Sequence, residues 1–102
     1  MKRLEPAEIA NALQNLPDWS LEDDKWLRKR FRFPAFLSGI AFVNDIARLS
    51  EDVNHHPLIA IDYKVVTLKL TSWHMKGVTD LDIELIQKYD QIYNEMMNKD
   101  QS

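Results

Sequence analysis

Leu58-Ile59-Ala60-Ile61-Asp62-Tyr63-Lys64-Val65-Val66-Thr67-Leu68-Lys69-Leu70-Thr71-Ser72 is the stretch on which the fold turns. It is rich in β-branched residues, which fit a pleated, half-buried surface. Ile59, Ile61 and Tyr63 alternate, and so do Val66, Leu68 and Leu70, at the period of two that marks a strand. Two alternating runs imply two strands turning near Asp62 to Val65, although no Gly or Pro enforces the turn. Tyr63 reads most simply as a strand aromatic packing the core.

Upstream, Trp26 to Phe33 is a third strand: Leu27, Phe31 and Phe33 share one parity, Arg28, Arg30 and Arg32 the other, and Lys29 is the one violation. Trp19-Ser20-Leu21, joined to it by the polar turn Glu22-Asp23-Asp24-Lys25, completes a hairpin without glycine. Three helices surround these strands. The first runs from Pro6 to Asn15, with Pro6 suited to a first turn and Pro17 ending the run. Pro34 opens the second, in which Phe36, Ile40, Val43 and Ala47 share a face widened by Leu37, Phe42, Ile46 and Leu49. It ends near Asn54, because Pro57 disfavours further helix. Gly77 breaks the chain and Thr79 is an N-cap for the third, with Asp82 near its positive end. Its stripe is Val78, Leu81, Leu85, Tyr89, Ile92 and Met96. Ile83, Ile86 and Tyr93 lie off it, which predicts a further buried surface against a partner subunit, and the tail from Asn98 is expected to fray. The order α-β-β-α-β-β-α predicts an α+β domain: a four-stranded antiparallel sheet with helices packed on one face.

The 102 residues fit one domain, 1–102, whose small core makes oligomerisation a natural source of stability. A net charge of -3 argues against a nucleic-acid coat, which needs basic excess. Lys25, Arg28, Lys29, Arg30 and Arg32 cluster locally, as a solvated strand face or else a phosphate site. With no cysteine, disulfides, thiolate metal sites and a Cys nucleophile are excluded. No apolar run is long enough for a bilayer and the N-terminus lacks an apolar leader, so a cytoplasmic protein with no membrane contact is expected.

The histidines are His55, His56 and His74. Histidine titrates near neutrality and exchanges protons without a large shift. Adjacent histidines in a turn can present both rings to one cleft, whereas on a strand they would point apart. The dipeptide alone also suits an ordinary surface pair. Zinc needs three or four ligands at spacings that His55, His56, Glu51, Asp52 and Asp82 do not demand, so no metal is expected. Glu51 is either a solvated residue near a helix C-terminus, where the dipole disfavours it, or a site residue. Asp82 is either the N-terminal carboxylate of Thr79's helix or a site residue.

A wider pattern adds to this. Glu51 stands four residues before His55-His56-Pro57, Tyr63 eight after the first histidine, Trp73 ten later and Asp82 nine further on. That spaced set, with Leu16-Pro17-Asp18-Trp19, Arg30-Phe31-Arg32-Phe33 and Phe36, resembles the pterin-4a-carbinolamine dehydratases from about Ile9 to Ile92. The resemblance implies dehydration of a 4a-hydroxytetrahydropterin to the quinonoid dihydropterin, recycling the cofactor of aromatic amino-acid hydroxylation, with no metal or organic cofactor. It implies a homodimer or homotetramer, and a pathway partner in an aromatic amino-acid hydroxylase. By resemblance His55 is the general acid, His56 binds pterin and assists proton transfer, and Glu51 orients a histidine or contacts the ring. Pro57, Ser72, Trp73 and Asp82 would complete the substrate site. Many members carry a third histidine where this chain has Trp73, whose indole donates a hydrogen bond or stacks but cannot serve as an acid. One acid fewer implies a preference between the two 4a epimers. His74, next along an expected strand, would face the opposite side as a surface histidine. Some relatives also act as dimerisation cofactors of a homeodomain transcription factor, so a non-enzymatic partner role through the helical surface is the alternative.

Overall fold

The computed structural model describes residues 2–100. Helix α1 (Pro6–Leu13) is followed by strands β1 (Ser20–Glu22) and β2 (Trp26–Arg32), helix α2 (Phe36–Val53), strands β3 (Leu58–Asp62) and β4 (Val65–Leu70), a 3-10 turn (Trp73–Met75) and helix α3 (Asp80–Asp100). The four strands form one antiparallel sheet in the order β1-β2-β4-β3, so the expected α+β architecture is what the chain adopts.

Register follows from which side chains must be hidden. Leu27 pairs with Leu70 and Phe31 with Val66, and all four are buried. A one-residue slip would send this set to the solvent face. Above it Phe31, Phe33, Phe42 and Tyr93 form an aromatic cluster with ring centroids 4.9 to 5.9 Å apart. Truncating a buried member such as Phe42 to Ala should cost about 3–5 kcal/mol. The turn Glu22–Lys25 needs no glycine, because Asp23 and Asp24 take positive φ, 54° and 59°, and Lys25 N–H closes it on Glu22 O at 3.2 Å. A short polar side chain tolerates that conformation best after glycine. Lys29 does lie on the buried face: its ammonium reaches Asp90 at 2.8 Å, which also accepts from Trp19 Nε1 at 3.1 Å.

Five expectations need correction. Tyr63 is not a core aromatic; it sits in the turn between β3 and β4 at φ 55° and is exposed. The buried stripe of α2 is Gly39, Phe42, Ile46 and Ser50, whereas Phe36, Leu37 and Ala47 are exposed. The helix begins at Phe36, two residues beyond Pro34. Ile83, Ile86 and Tyr93 do not form an outer surface: Ile86 is fully buried, and Ile83 and Tyr93 pack on the same core, because a helix lying across a sheet buries a broad face. Among the described residues the exposed large apolar side chains are instead Leu58, Ile59 and Ile61 on edge strand β3, with Tyr63, Phe36, Leu37 and Trp73. Finally, α3 stays helical past Asn98, to Asp100.

Candidate active site

The end of α2 is built to turn the chain sharply. Asn54 adopts the left-handed conformation, φ 52° and ψ 47°. His55 N–H donates to Ser50 O at 3.0 Å, and Asn54 N–H to Glu51 O at 3.4 Å. These two bonds satisfy carbonyls that the helix end leaves open, and Asn is the residue after glycine that best accepts the geometry. The chain therefore doubles back over its own last turn. That brings His56 Nε2 to 2.5 Å from the Glu51 carboxylate, five residues earlier and on the solvent side. Glu51, disfavoured by the helix dipole at this end, gains a partner there.

The start of α3 supplies the second half. Asp82, at the third helical position, is wholly buried. Its Oδ2 accepts from Thr79 N–H at 2.8 Å, Thr79 Oγ1 at 3.2 Å and Ser72 Oγ at 2.7 Å. Its Oδ1 meets His55 Nε2 at 2.6 Å. Asp82 is thus both the helix-capping carboxylate and the partner of a histidine. A buried carboxyl is acceptable only when its acceptors are filled, and here three donors fill one oxygen. The network locks Asp82, and Asp82 locks the His55 ring, whose side chain is 12% exposed against 52% for His56. A carboxylate on Nε2 favours the tautomer with its proton there, leaving Nδ1 as the nitrogen that takes or gives a proton.

The third wall corrects the sequence reading. β4 ends at Leu70, and a bridge between Ser72 and Gly77 closes a tight loop containing the 3-10 turn. Trp73 and His74 therefore do not alternate across a strand. Trp73 is 58% exposed and meets Trp26 edge-on at 5.1 Å. His74, assigned from sequence to the opposite side, lines the same cavity as His55, His56, Ser72 and Trp73. That cavity measures about 360 Å³, within the usual range for small-molecule sites. Asn54, Met75 and Leu81 complete its lining. Of these three, Leu81 had a sequence signal for burial on the α3 stripe and Asn54 one for the end of α2, and Met75 had none. Pro57 is half-buried where the chain enters β3 and does not line the cavity.

Among the described residues no group of three His, Asp or Glu side chains could hold a metal ion, and no helix is long and apolar enough to cross a membrane. A larger concavity of about 690 Å³, between the loop at Pro17, β2 and α3, is lined by Arg28, Lys29, Arg30 and Arg32 of the basic cluster, without Lys25, and by no histidine. Arg30 and Arg32 there are exposed, as on a solvated face.

Comparison with known proteins shows the family and the fold. Residues 2–92 match the sequence model of the family described as pterin 4 alpha carbinolamine dehydratase. A candidate pterin-4-alpha-carbinolamine dehydratase of Chloroflexus aurantiacus is 45% identical over 92 residues, covering 90% of this chain and 98% of its own. Another from Sulfurisphaera tokodaii is 36% identical over 92 residues, again 90% and 98% of the two chains. Among solved structures, a transcriptional coactivator/pterin dehydratase from Brucella melitensis superposes with a TM-score of 0.85 at 30% identity, covering 90% of this chain and 99% of its own. A pterin dehydratase-like RuBisCO assembly factor of the alpha-carboxysome shares the fold at a TM-score of 0.66 and 22% identity, covering 76% and 92%.

Proposed function

The chain belongs to the pterin-4a-carbinolamine dehydratase family, and we propose that it removes water from a 4a-hydroxytetrahydropterin to give the quinonoid dihydropterin. One observation carries this reading: two adjacent histidines, each held at Nε2 by its own carboxylate, share a cavity of small-molecule size with an exposed indole. Elimination of the 4a hydroxyl needs a proton delivered to the departing oxygen and one removed from the ring nitrogen. His55, fixed by Asp82, gives the first as the C4a–O bond breaks. His56, on Glu51, contacts the pterin and takes the second. Each positioned imidazole contributes ~10²–10⁴-fold at most, which suits a reaction of modest barrier. Trp73 offers its face to the flat ring, Ser72 holds Asp82, and Pro57 stiffens the entry to β3. The chemistry calls on no metal and no organic cofactor. The place of the protein is in tetrahydropterin recycling in the cytoplasm, beside an aromatic amino-acid hydroxylase.

Edge strand β3 and the exposed N-terminal turn of α2 support assembly as a homodimer or homotetramer, since a long apolar edge left open invites pairing. The alternative, a regulatory partner of another protein, would use the same exposed residues. Stopped-flow detection of quinonoid dihydropterin from freshly generated 4a-hydroxytetrahydropterin separates the two. Acceleration over the spontaneous rate is expected; a rate equal to background would sink the dehydratase.

A further inference from the structure

Trp73 also walls a second, smaller cavity of about 170 Å³, with Lys25, Trp26, Thr71 and Lys76. Three features of it are unexplained by the histidine cleft. First, Thr71 is 4% exposed, and its hydroxyl makes no hydrogen bond. Buried hydroxyls are ordinarily paired, so this one points to a missing acceptor or donor. Second, Lys25 and Lys76 are exposed and have no carboxylate partner among the described residues. The nearby Lys69 ammonium lies 5.1 Å from the Trp26 ring and is already taken by Glu22, which Arg28 also approaches at 3.9 Å. Third, Trp26 and Trp73 stand edge to face at 5.1 Å and give the cavity two aromatic walls.

The volume is below the ~300 Å³ at which small-molecule pockets begin, so a ring system does not belong here. It equals about six waters at ~30 Å³ each, room for a substituent. Two unpaired ammonium groups and an unpartnered hydroxyl ask for an acceptor-rich, negatively charged group. We propose that this cavity is a subsite for an anion, phosphate or carboxylate, carried on the side chain of a pterin whose ring occupies the neighbouring cleft. This rests on reading that cleft as a pterin site. The shared Trp73 then separates ring from tail, and the subsite sets which pterin the protein prefers.

The test is calorimetric titration with three stable 7,8-dihydropterins, whose side chains carry a neutral hydroxyl, a phosphate ester or a carboxylate. At least one anionic ligand should bind about tenfold tighter than the neutral one, the worth of one charge-assisted hydrogen bond. The stronger of the two identifies the anion. That gap should narrow in Lys25→Gln and Lys76→Gln, exposed positions where folding is not at risk, and in Thr71→Val. Equal affinity for all three ligands, or a gap that survives in the Lys25→Gln/Lys76→Gln double variant, would overturn the subsite. Because binding is read without turnover, the two readings fail separately. Discrimination without dehydration removes the enzyme and keeps the subsite; dehydration without discrimination does the reverse. Failure to bind any dihydropterin overturns the subsite and leaves the dehydratase to the rate measurement.

Discussion

Replacing Asp82 with Asn should disable the site while sparing the fold. In the native chain Oδ2 accepts three hydrogen bonds, from Thr79 N–H, Thr79 Oγ1 and Ser72 Oγ, and Oδ1 meets His55 Nε2 at 2.6 Å. Alanine would leave these donors buried and unpaired. At ~1–3 kcal/mol for each group, the loss approaches a small domain's whole stability of roughly 5–15 kcal/mol. Asparagine is the cleaner perturbation. Its amide oxygen must keep the three donors, which turns the amide nitrogen toward His55. An amide nitrogen only donates, so Nε2 must accept and the imidazole proton moves to Nδ1. The ring also loses its counter-charge. The stability loss should then be only about 1–2 kcal/mol, the difference between charge-assisted and neutral hydrogen bonds. The rate loss should be about 10²–10³-fold, inside the range for one acid–base group. The same substitution behind the histidine of a serine protease, with a harder reaction, costs ~10⁴. Urea unfolding and stopped-flow dehydration on one preparation give both quantities. A folded Asp82→Asn protein within about twofold of the native rate would reduce Asp82 to a helix cap.

Three further outcomes follow from the same geometry. Asn54→Ala should cost about 1–2 kcal/mol in urea unfolding, the penalty of a left-handed residue with a Cβ, whereas Asn54→Gly should cost little. Glu22 is held below its ordinary 4.5 chiefly by the hydrogen bond from Lys69, so its stabilisation is present above about 4.5 and lost as pH falls through the folded value. Glu22→Gln should therefore lower the urea midpoint at pH 7 and converge with the native chain as pH falls below the folded value, and a difference independent of pH would refute that origin. His74→Ala, which removes the third imidazole on the cavity, should slow dehydration of one 4a epimer about tenfold more than the other, read with both epimers in separate stopped-flow runs.

Period and parity made most of the fold legible. Leu27, Phe31, Val66, Leu68 and Leu70 alternate because one sheet face is covered, and all are buried. Lys29 breaks the alternation for a reason that lies 61 residues away, in Asp90. Tyr63 looked like the next inward strand residue, but a two-residue turn between Asp62 and Val65 takes it out of the ladder. Helix α2 is apolar on more than its core face, and periodicity alone does not choose between Phe36 and Phe42. At the site, the His-His-Pro run and its spaced carboxylates were visible as a pattern. Which carboxylate serves which histidine was not, since a helix cap and a long-range contact decide it. Lys76 takes a left-handed φ of 55° at the end of the 3-10 turn with no Gly or Asn there to announce it, so strand parity does not locate His74.

The most direct test of the central claim compares quinonoid dihydropterin formation by the native chain, His55→Ala and His56→Ala, each verified as folded, with the spontaneous reaction. The His55–Asp82 and His56–Glu51 pairs predict a native rate well above background and a loss of ~10²-fold or more in His55→Ala, with a smaller loss in His56→Ala. Native acceleration that persists undiminished in His55→Ala would contradict the assignment of proton transfer to this pair.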